Sequence, residues 1–180
     1  YNADFDGDEM NMHVPQHIET AYELEHITLV PTQIISPASC KPIIYVVQDT
    51  LVGSYLLTQP SIRLSRSEMY NLAMSLPNYT GVLPHIGEDG KWSGQDLYSM
   101  FLPDISLIMN NNSYDDNPVD KNRVVIKNGN YKSGVMDSKF LQNILIHIIF
   151  NTYGANAAKD FLDQNQRVIT RWLQAHGFSL

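Results

Sequence analysis

Arg123-Val124-Val125-Ile126-Lys127-Asn128-Gly129-Asn130-Tyr131-Lys132-Ser133 is the stretch that decides the fold class. A β-branched run meets an Asn-Gly pair and then a second short run. Asn and Gly tolerate the two positive φ angles that a type I′ hairpin turn demands, so a two-stranded ribbon is predicted here. Immediately downstream the pattern changes to helix. Ser138 is placed to cap an apolar helix running to about Tyr153, Gly154 ends it, and a second helix runs from about Asn156 to Gln174 before Gly177. In that second helix Ala158, Phe161, Leu162, Val168, Ile169, Trp172 and Leu173 share one face, which marks a core stripe rather than a cofactor site. A ribbon followed by a helical pair predicts an α+β fold of mixed short strands and helices.

Upstream, the Asn- and Asp-rich stretch from Asn110 to Asn122 reads as an exposed loop. Trp92 to Leu102 is expected to be a short helix started by Ser93, and Ser65-Arg66-Ser67-Glu68 is a capping box opening a helix through about Leu76. Gln48 to Leu57 is read as helical, although Gly53 weakens it. Pro31 to Val47 contains the pairs Ile34-Ile35, Ile43-Ile44 and Val46-Val47 punctuated by Pro37 and Pro42, and is expected to form short strands. Ile18 to Ile27 has helical spacing.

Composition bounds the function classes. An apolar fraction of 43% with 17% charged residues fits a folded domain and is unlike a disordered segment. The longest apolar run, Ile144 to Phe150, is interrupted by His147 and falls well short of the roughly 18 residues needed to span a bilayer, so no membrane association is expected. A single cysteine, Cys40, excludes an internal disulfide framework and a zinc site built from paired cysteines. The net charge of −7, with only 12 scattered Lys and Arg, argues against a stand-alone nucleic-acid binder. No initiating Met and no basic-then-apolar leader is visible, and the chain is expected to open in the middle of a motif.

That motif is Tyr1-Asn2-Ala3-Asp4-Phe5-Asp6-Gly7-Asp8, with three carboxylates at alternate positions around one glycine. If Gly7 lets the chain turn, Asp4, Asp6 and Asp8 can converge on one hard cation. Carboxylate oxygens at about 2.0 to 2.1 Å in octahedral array suit magnesium, whose remaining ligands are usually waters or phosphates. An EF-hand is excluded by position: with Asp4 first, the required glycine falls on Glu9 and the bidentate glutamate on Pro15. Taken alone, an Asp-x-Asp-Gly-Asp string fits a solvated acidic turn as well as it fits a metal loop.

The longer string Asn2-Ala3-Asp4-Phe5-Asp6-Gly7-Asp8-Glu9-Met10-Asn11-Met12-His13-Val14-Pro15-Gln16 resembles the active-site signature of the largest subunits of multisubunit DNA-dependent RNA polymerases. The Glu-Met-Asn-Met-His continuation is similar to the eukaryotic, archaeal and large-DNA-virus branch. The resemblance extends through Val30-Pro31, Ile35-Ser36-Pro37, Lys41-Pro42, Val47-Gln48-Asp49-Thr50-Leu51, Ser133-Gly134-Val135 and Ile146-His147-Ile148-Ile149 to Trp172-Leu173 and Gly177-Phe178-Ser179, essentially the whole chain. The family's Pro-x-Leu-Trp-Thr-Gly-Lys-Gln stretch stands here as Gly90-Lys91-Trp92-Ser93-Gly94-Gln95, and Gly53 to Ser67 diverges, a departure that leans towards a viral source.

The resemblance implies a division into residues 1–29 at the end of the active-site domain, 30–176 as the pore domain and 177–180 at the start of the funnel region. It implies that Asp4, Asp6 and Asp8 hold the catalytic Mg2+ for template-directed transfer of ribonucleotides to the RNA 3′ end, with a second magnesium arriving on the triphosphate at roughly 3.5 to 4 Å. Asn2 would contact the ribose hydroxyls and Gly7 would set loop geometry. Phe5 is expected to pack beneath the loop, and His13 and His147 to be buried, hydrogen-bonded structural histidines. Gln48 and Asp49 either face the pore or serve the start of a helix, where the dipole favours Asp49. Implied partners are the second-largest polymerase subunit and other subunits, the DNA template, the nascent RNA and nucleoside triphosphates. The expected location is the nucleus for a cellular enzyme, and the virion, viral factory or host cytoplasm for a viral one. Two other classes compete with this reading: a non-catalytic divalent-ion-binding module, and a structural interaction domain with an incidental acidic turn.

Overall fold

The computed structural model describes residues 3–110 and 123–179. The apolar stripe in the last third of the chain gives the molecule its spine. Helix α6 (Ala155–His176) buries Ala158, Phe161, Val168, Ile169 and Trp172, with Leu162 and Leu173 partly covered beside them. Against it lie α2 (Gln48–Leu57) and α5 (Ile146–Tyr153). Gly53 explains its own presence in α2: a Cβ there would sit 2.4 Å from Ile169 Cγ2, so the helices close only where the side chain is missing. The local loss of helix propensity is the cost of a tight crossing.

The hairpin forms as predicted. Strands β6 (Arg123–Lys127) and β7 (Asn130–Ser133) pair antiparallel across Asn128 and Gly129, whose φ angles of 49° and 70° are those of a type I′ turn. Their inner faces bury Val124, Ile126 and Tyr131. A third strand, β5 (Leu107–Asn110), pairs with β6 in the register Leu107↔Ile126 to Asn110↔Arg123, and Arg123 Nε donates to Asn110 Oδ1 at 3.0 Å. Asn110 thus ends a strand; the rest of the expected loop, from 111 to 122, lies outside the described residues.

Two capping boxes are realised. Ser65 opens α3 (Arg66–Ala73), accepting from the Glu68 amide while Glu68 accepts from the Ser65 amide at 2.8 Å. Ser93 opens α4 (Gly94–Tyr98) in the same way with Asp96. That helix is shorter than the expected Trp92 to Leu102, because Trp92 and Ser93 form strand β4 against β3 (Arg63–Leu64) and single turns carry the chain on to Leu102. Two further expectations are corrected. Pro31 to Val47 yields only β1 (Ile35–Ser36) and β2 (Lys41–Pro42), preceded by a 3-10 turn at Val30–Gln33. Ile43-Ile44 and Val46-Val47 lie outside any strand: the Ile43 amide still donates to the Ile34 carbonyl at 2.9 Å, but the ladder of β1 and β2 ends at the Ile35↔Pro42 pair. The helix ending at Tyr153 is capped by Asp137 rather than Ser138: Asp137 Oδ1 accepts from the Phe140 amide at 2.7 Å, and a π-helical turn (Phe140–Leu145) leads into α5.

Several buried polar groups tie these elements together by hydrogen bonds, while the Tyr131 hydroxyl is buried without one. Asn165, inside the apolar stripe of α6, accepts the Tyr98 hydroxyl at 2.7 Å and donates to Ser54 Oγ at 3.4 Å. Burial pushes the Tyr98 phenol well above its usual pKa, so it remains a donor at any physiological pH. The Gln95 side-chain amide donates to the carbonyls of Thr58 (2.7 Å) and Gly134 (3.2 Å), and Thr58 Oγ1 accepts from the Met136 amide at 3.0 Å. Gly94 must be glycine, because a Cβ would stand 2.0 Å from the Leu57 carbonyl oxygen.

Burial changes abruptly along the chain. Every described residue from 3 to 30 is exposed, including helix α1 (Ile18–His26), and burial begins with Pro31 to Ile34. The chain therefore divides into an N-terminal arm and a body with one hydrophobic core.

Candidate functional site

The carboxylate loop lies in the arm. The chain turns over residues 5 to 7, with Gly7 at φ +118°, in the region that glycine enters without strain. The turn brings the two ends of the motif together: the Asp4 amide donates to Asp8 Oδ2 at 3.0 Å, and the Phe5 amide donates to Asp4 Oδ1 at 2.9 Å. All three carboxylates are exposed, and among the described residues no Lys or Arg forms an ion pair with them. As a donor set they fit a hard divalent cation. Their arrangement in this chain is not yet that of a metal cage, because one oxygen each of Asp4 and Asp8 is engaged by loop backbone. Among the described residues no group of three acidic, His or Cys side chains is gathered closely enough to hold an ion. Asn2 lies outside the described residues.

Two expectations near the loop are corrected. Phe5 is fully exposed rather than packed beneath the loop, and His13 is exposed rather than buried. Both follow from the same cause: the body begins at Pro31, so nothing in it reaches back to cover them. His147 is half-buried on α5, with Nδ1 3.0 Å from the Asn151 amide nitrogen.

Gln48 and Asp49 start α2, with Asp49 in the first turn where the dipole favours it. They also line a cleft of about 580 Å³ with Thr170 and Phe178 from the far end of the chain. Gln48, one of the residues lining that cleft, sits at φ 48°, a left-handed conformation uncommon outside glycine. Thr50 Oγ1 donates to Gln166 Oε1 at 2.8 Å, pinning the start of α2 to α6. Gln166 and the buried Asn165 were not legible as partners, since only the fold brings residues 116 and 111 positions apart into contact.

Charge is divided as sharply as burial. Seven of the 19 Asp and Glu, and none of the 12 Lys and Arg, lie within residues 1–30. The other 150 residues carry twelve of each sign, so the whole formal charge of −7 belongs to the arm. Among the described residues no helix is long and apolar enough to cross a membrane.

Comparison with known proteins divides the chain at the same place. Residues 33–180 match the family model described as RNA polymerase Rpb1, domain 3, and residues 1–30 match RNA polymerase Rpb1, domain 2. Two similar curated proteins are the DNA-directed RNA polymerase II subunits RPB1-A and RPB1-B of Trypanosoma brucei brucei, each 34% identical over an alignment of 184 residues that covers 100% of this chain. The chain spans about 10% of the length of those relatives. The signature around Asp4, Asp6 and Asp8, the domain 3 match over the body and the whole-chain identity to both subunits agree: this chain belongs to the RNA polymerase Rpb1 family, the largest-subunit family of multisubunit RNA polymerases.

Proposed function

We propose that this chain supplies the catalytic-metal loop and the adjoining pore domain of a DNA-directed RNA polymerase, serving template-directed nucleotidyl transfer within the assembled enzyme. The observation that carries the reading is the position of Asp4, Asp6 and Asp8 within a segment matched as domain 2, directly followed by a domain 3 body. In this reading residues 1–29 end the active-site domain, 30–176 form the pore domain and 177–180 begin the funnel region.

Asp4, Asp6 and Asp8 would hold magnesium through carboxylate oxygens, and Gly7 supplies the bend that lets alternate side chains face one point. When bound, the metal supplies charge stabilisation at the RNA 3′ oxygen and at the α-phosphate of the incoming nucleotide. The chain's own contribution is alignment and electrostatics. No protein nucleophile is expected to take part, and Asn2 would select ribose through its hydroxyls. The Mg2+ requirement, the second-largest subunit and other polymerase partners, and the DNA, RNA and triphosphate ligands belong to the assembly. The location follows from the assembly too: nuclear for a cellular source, viral factory or virion for a viral one.

Alanine at Asp4, Asp6 or Asp8 in the assembled enzyme is expected to abolish RNA extension while leaving subunit assembly intact. Hydroxyl-radical cleavage with Fe2+ in place of Mg2+ should cut the chain at this loop. Extension at the wild-type rate by any one of the three variants would defeat the reading in favour of a non-catalytic or structural domain.

A further inference from the structure

Asn128-Gly129 is the only Asn-Gly step among the 180 residues. The pair suits a type I′ turn because both residues take positive φ. It is also a reactive pair, since no side chain on the second residue hinders its amide nitrogen from approaching the asparagine side-chain carbonyl. The Gly129 nitrogen would bond to Asn128 Cγ while the Cγ–Nδ2 bond breaks, releasing ammonia and leaving a five-membered succinimide. Water then opens the ring at either carbonyl, giving aspartate or isoaspartate. No oxidant, metal or second protein is required.

The fold ties down both reacting groups. Gly129 is buried and its amide donates to the Ile105 carbonyl at 3.0 Å, so the attacking nitrogen is shielded from solvent base. On the other side of the reaction, Ser106 Oγ accepts from the Asn128 amide at 2.9 Å and donates to Asn128 Oδ1 at 3.0 Å. One hydroxyl thereby holds the side chain to the amide of its own residue and away from the next. The Asn128 carbonyl accepts from Asn130 Nδ2 at 3.1 Å, which resists the peptide rotation that ring closure needs.

The restraints on Gly129 and on the Asn128 side chain come from one short segment ahead of β5, residues 103–106. It lies directly on the turn: a Cβ on Gly129 would stand 3.1 Å from the Pro103 carbonyl oxygen. The segment is itself anchored to the body, with Ile105 in the core and the Asp104 carbonyl accepting the Tyr153 hydroxyl of α5. Asn128 and Ser106 are exposed, so water reaches the turn as soon as these contacts let go.

We propose that Asn128 is a latent deamidation site, held closed by the Ile105 carbonyl and the Ser106 hydroxyl, whose conversion records release of the 103–106 segment from the hairpin turn. The two products differ in consequence. Aspartate tolerates the same φ and adds one negative charge. Isoaspartate puts an extra methylene into the main chain of a two-residue turn and so displaces the Lys127↔Asn130 pairing, beside which Ile126 and Tyr131 are buried.

The test incubates the full-length protein at mildly alkaline pH and follows the peptide containing residue 128 by mass spectrometry, beside a synthetic peptide of residues 126–131. Conversion in the protein is expected to be about a hundredfold slower than in the peptide, as for a group that reacts only on local opening. Ser106→Ala removes two hydrogen bonds at an exposed position and should speed conversion about tenfold. Ser106→Thr keeps the hydroxyl and should restore the slow rate. Conversion of the wild-type protein as fast as the peptide would overturn the proposal. So would a Ser106→Ala rate at or below that of wild type, a decrease being the sign of a hydroxyl that activates the side-chain carbonyl. Equal acceleration by alanine and threonine would also overturn it, because packing and not the hydroxyl would then close the site. Hydrogen exchange of α6 amides checks that each variant is folded; should Ser106→Ala fail that check, the comparison of wild type with peptide decides by itself.

Discussion

The arm and the body follow opposite rules. From Ile34 to Trp172 the body buries large apolar side chains around α6 and ties Tyr98, Asn165, Gln95 and Thr58 together by internal hydrogen bonds, while residues 3–30 expose Met12, Ile18 and Tyr22 to solvent. The body is a folding unit whose charges cancel; the arm holds all the net charge and the candidate chemistry. The difference teaches that the acidic motif and the packed core in this chain are separable. The buried contacts lie in the body, and the acidic motif lies in the part that the body does not cover.

That separation can be broken by substitution. The largest effect on stability is expected from Leu57→Ala, which empties a fully buried site at the meeting of α2 and α4 and should cost about 2 to 5 kcal/mol in thermal or denaturant unfolding. Gly94→Ala comes next, since the new methyl would press on the Leu57 carbonyl; overpacking of this kind costs roughly 1 to 3 kcal/mol. Tyr98→Phe leaves the Asn165 carbonyl without its buried donor and should cost about 1 to 3 kcal/mol by the same measurement. Ser65→Ala removes the α3 cap and should cost about 1 kcal/mol near neutral pH. Its penalty should be pH-dependent. Hydrogen bonds from Ser65 hold the Glu68 carboxyl below its usual pKa, so their contribution is present above the usual glutamate range and is lost as pH falls through the depressed folded value. The wild-type and Ser65→Ala unfolding midpoints should therefore converge on acidification. Smallest of all, alanine at Asp4, Asp6 and Asp8 together should move the unfolding midpoint of the 180-residue chain by no more than about 0.5 kcal/mol, because none of the three touches the core. A large shift there would erase the distinction between arm and body.

Local signals in the sequence were enough for much of this fold. The Asn128-Gly129 turn, the Ser65 and Ser93 caps, the α6 stripe and the limits of α2 all follow from interactions within a few residues, which a linear reading captures. What escaped depends on distant partners. Strand β5 exists because β6 lies beside it across the 111 to 122 stretch, and Asn165 is buried because Tyr98 and Ser54 meet it. The expected strands at Ile43-Ile44 and Val46-Val47 had the right side chains, but the short ladder of β1 and β2 ends at Pro42 before reaching them. The site was legible in composition, three acids around a glycine, because a motif names its donors. Its geometry was not, since the contacts of Asp4 and Asp8 with the loop backbone depend on the turn at Gly7 and not on composition.

The pairing of Asn110 with Arg123 has a practical consequence. Their register, reinforced by the Arg123 Nε bond to Asn110 Oδ1, means that the chain leaves and re-enters the sheet at adjacent points. Lengthening a connection between ends already held together costs little, because closure entropy grows only logarithmically with length. A fluorescent protein or affinity handle spliced between these two positions would therefore ride on the body far along the sequence from the carboxylates, giving a way to purify or track the protein from within.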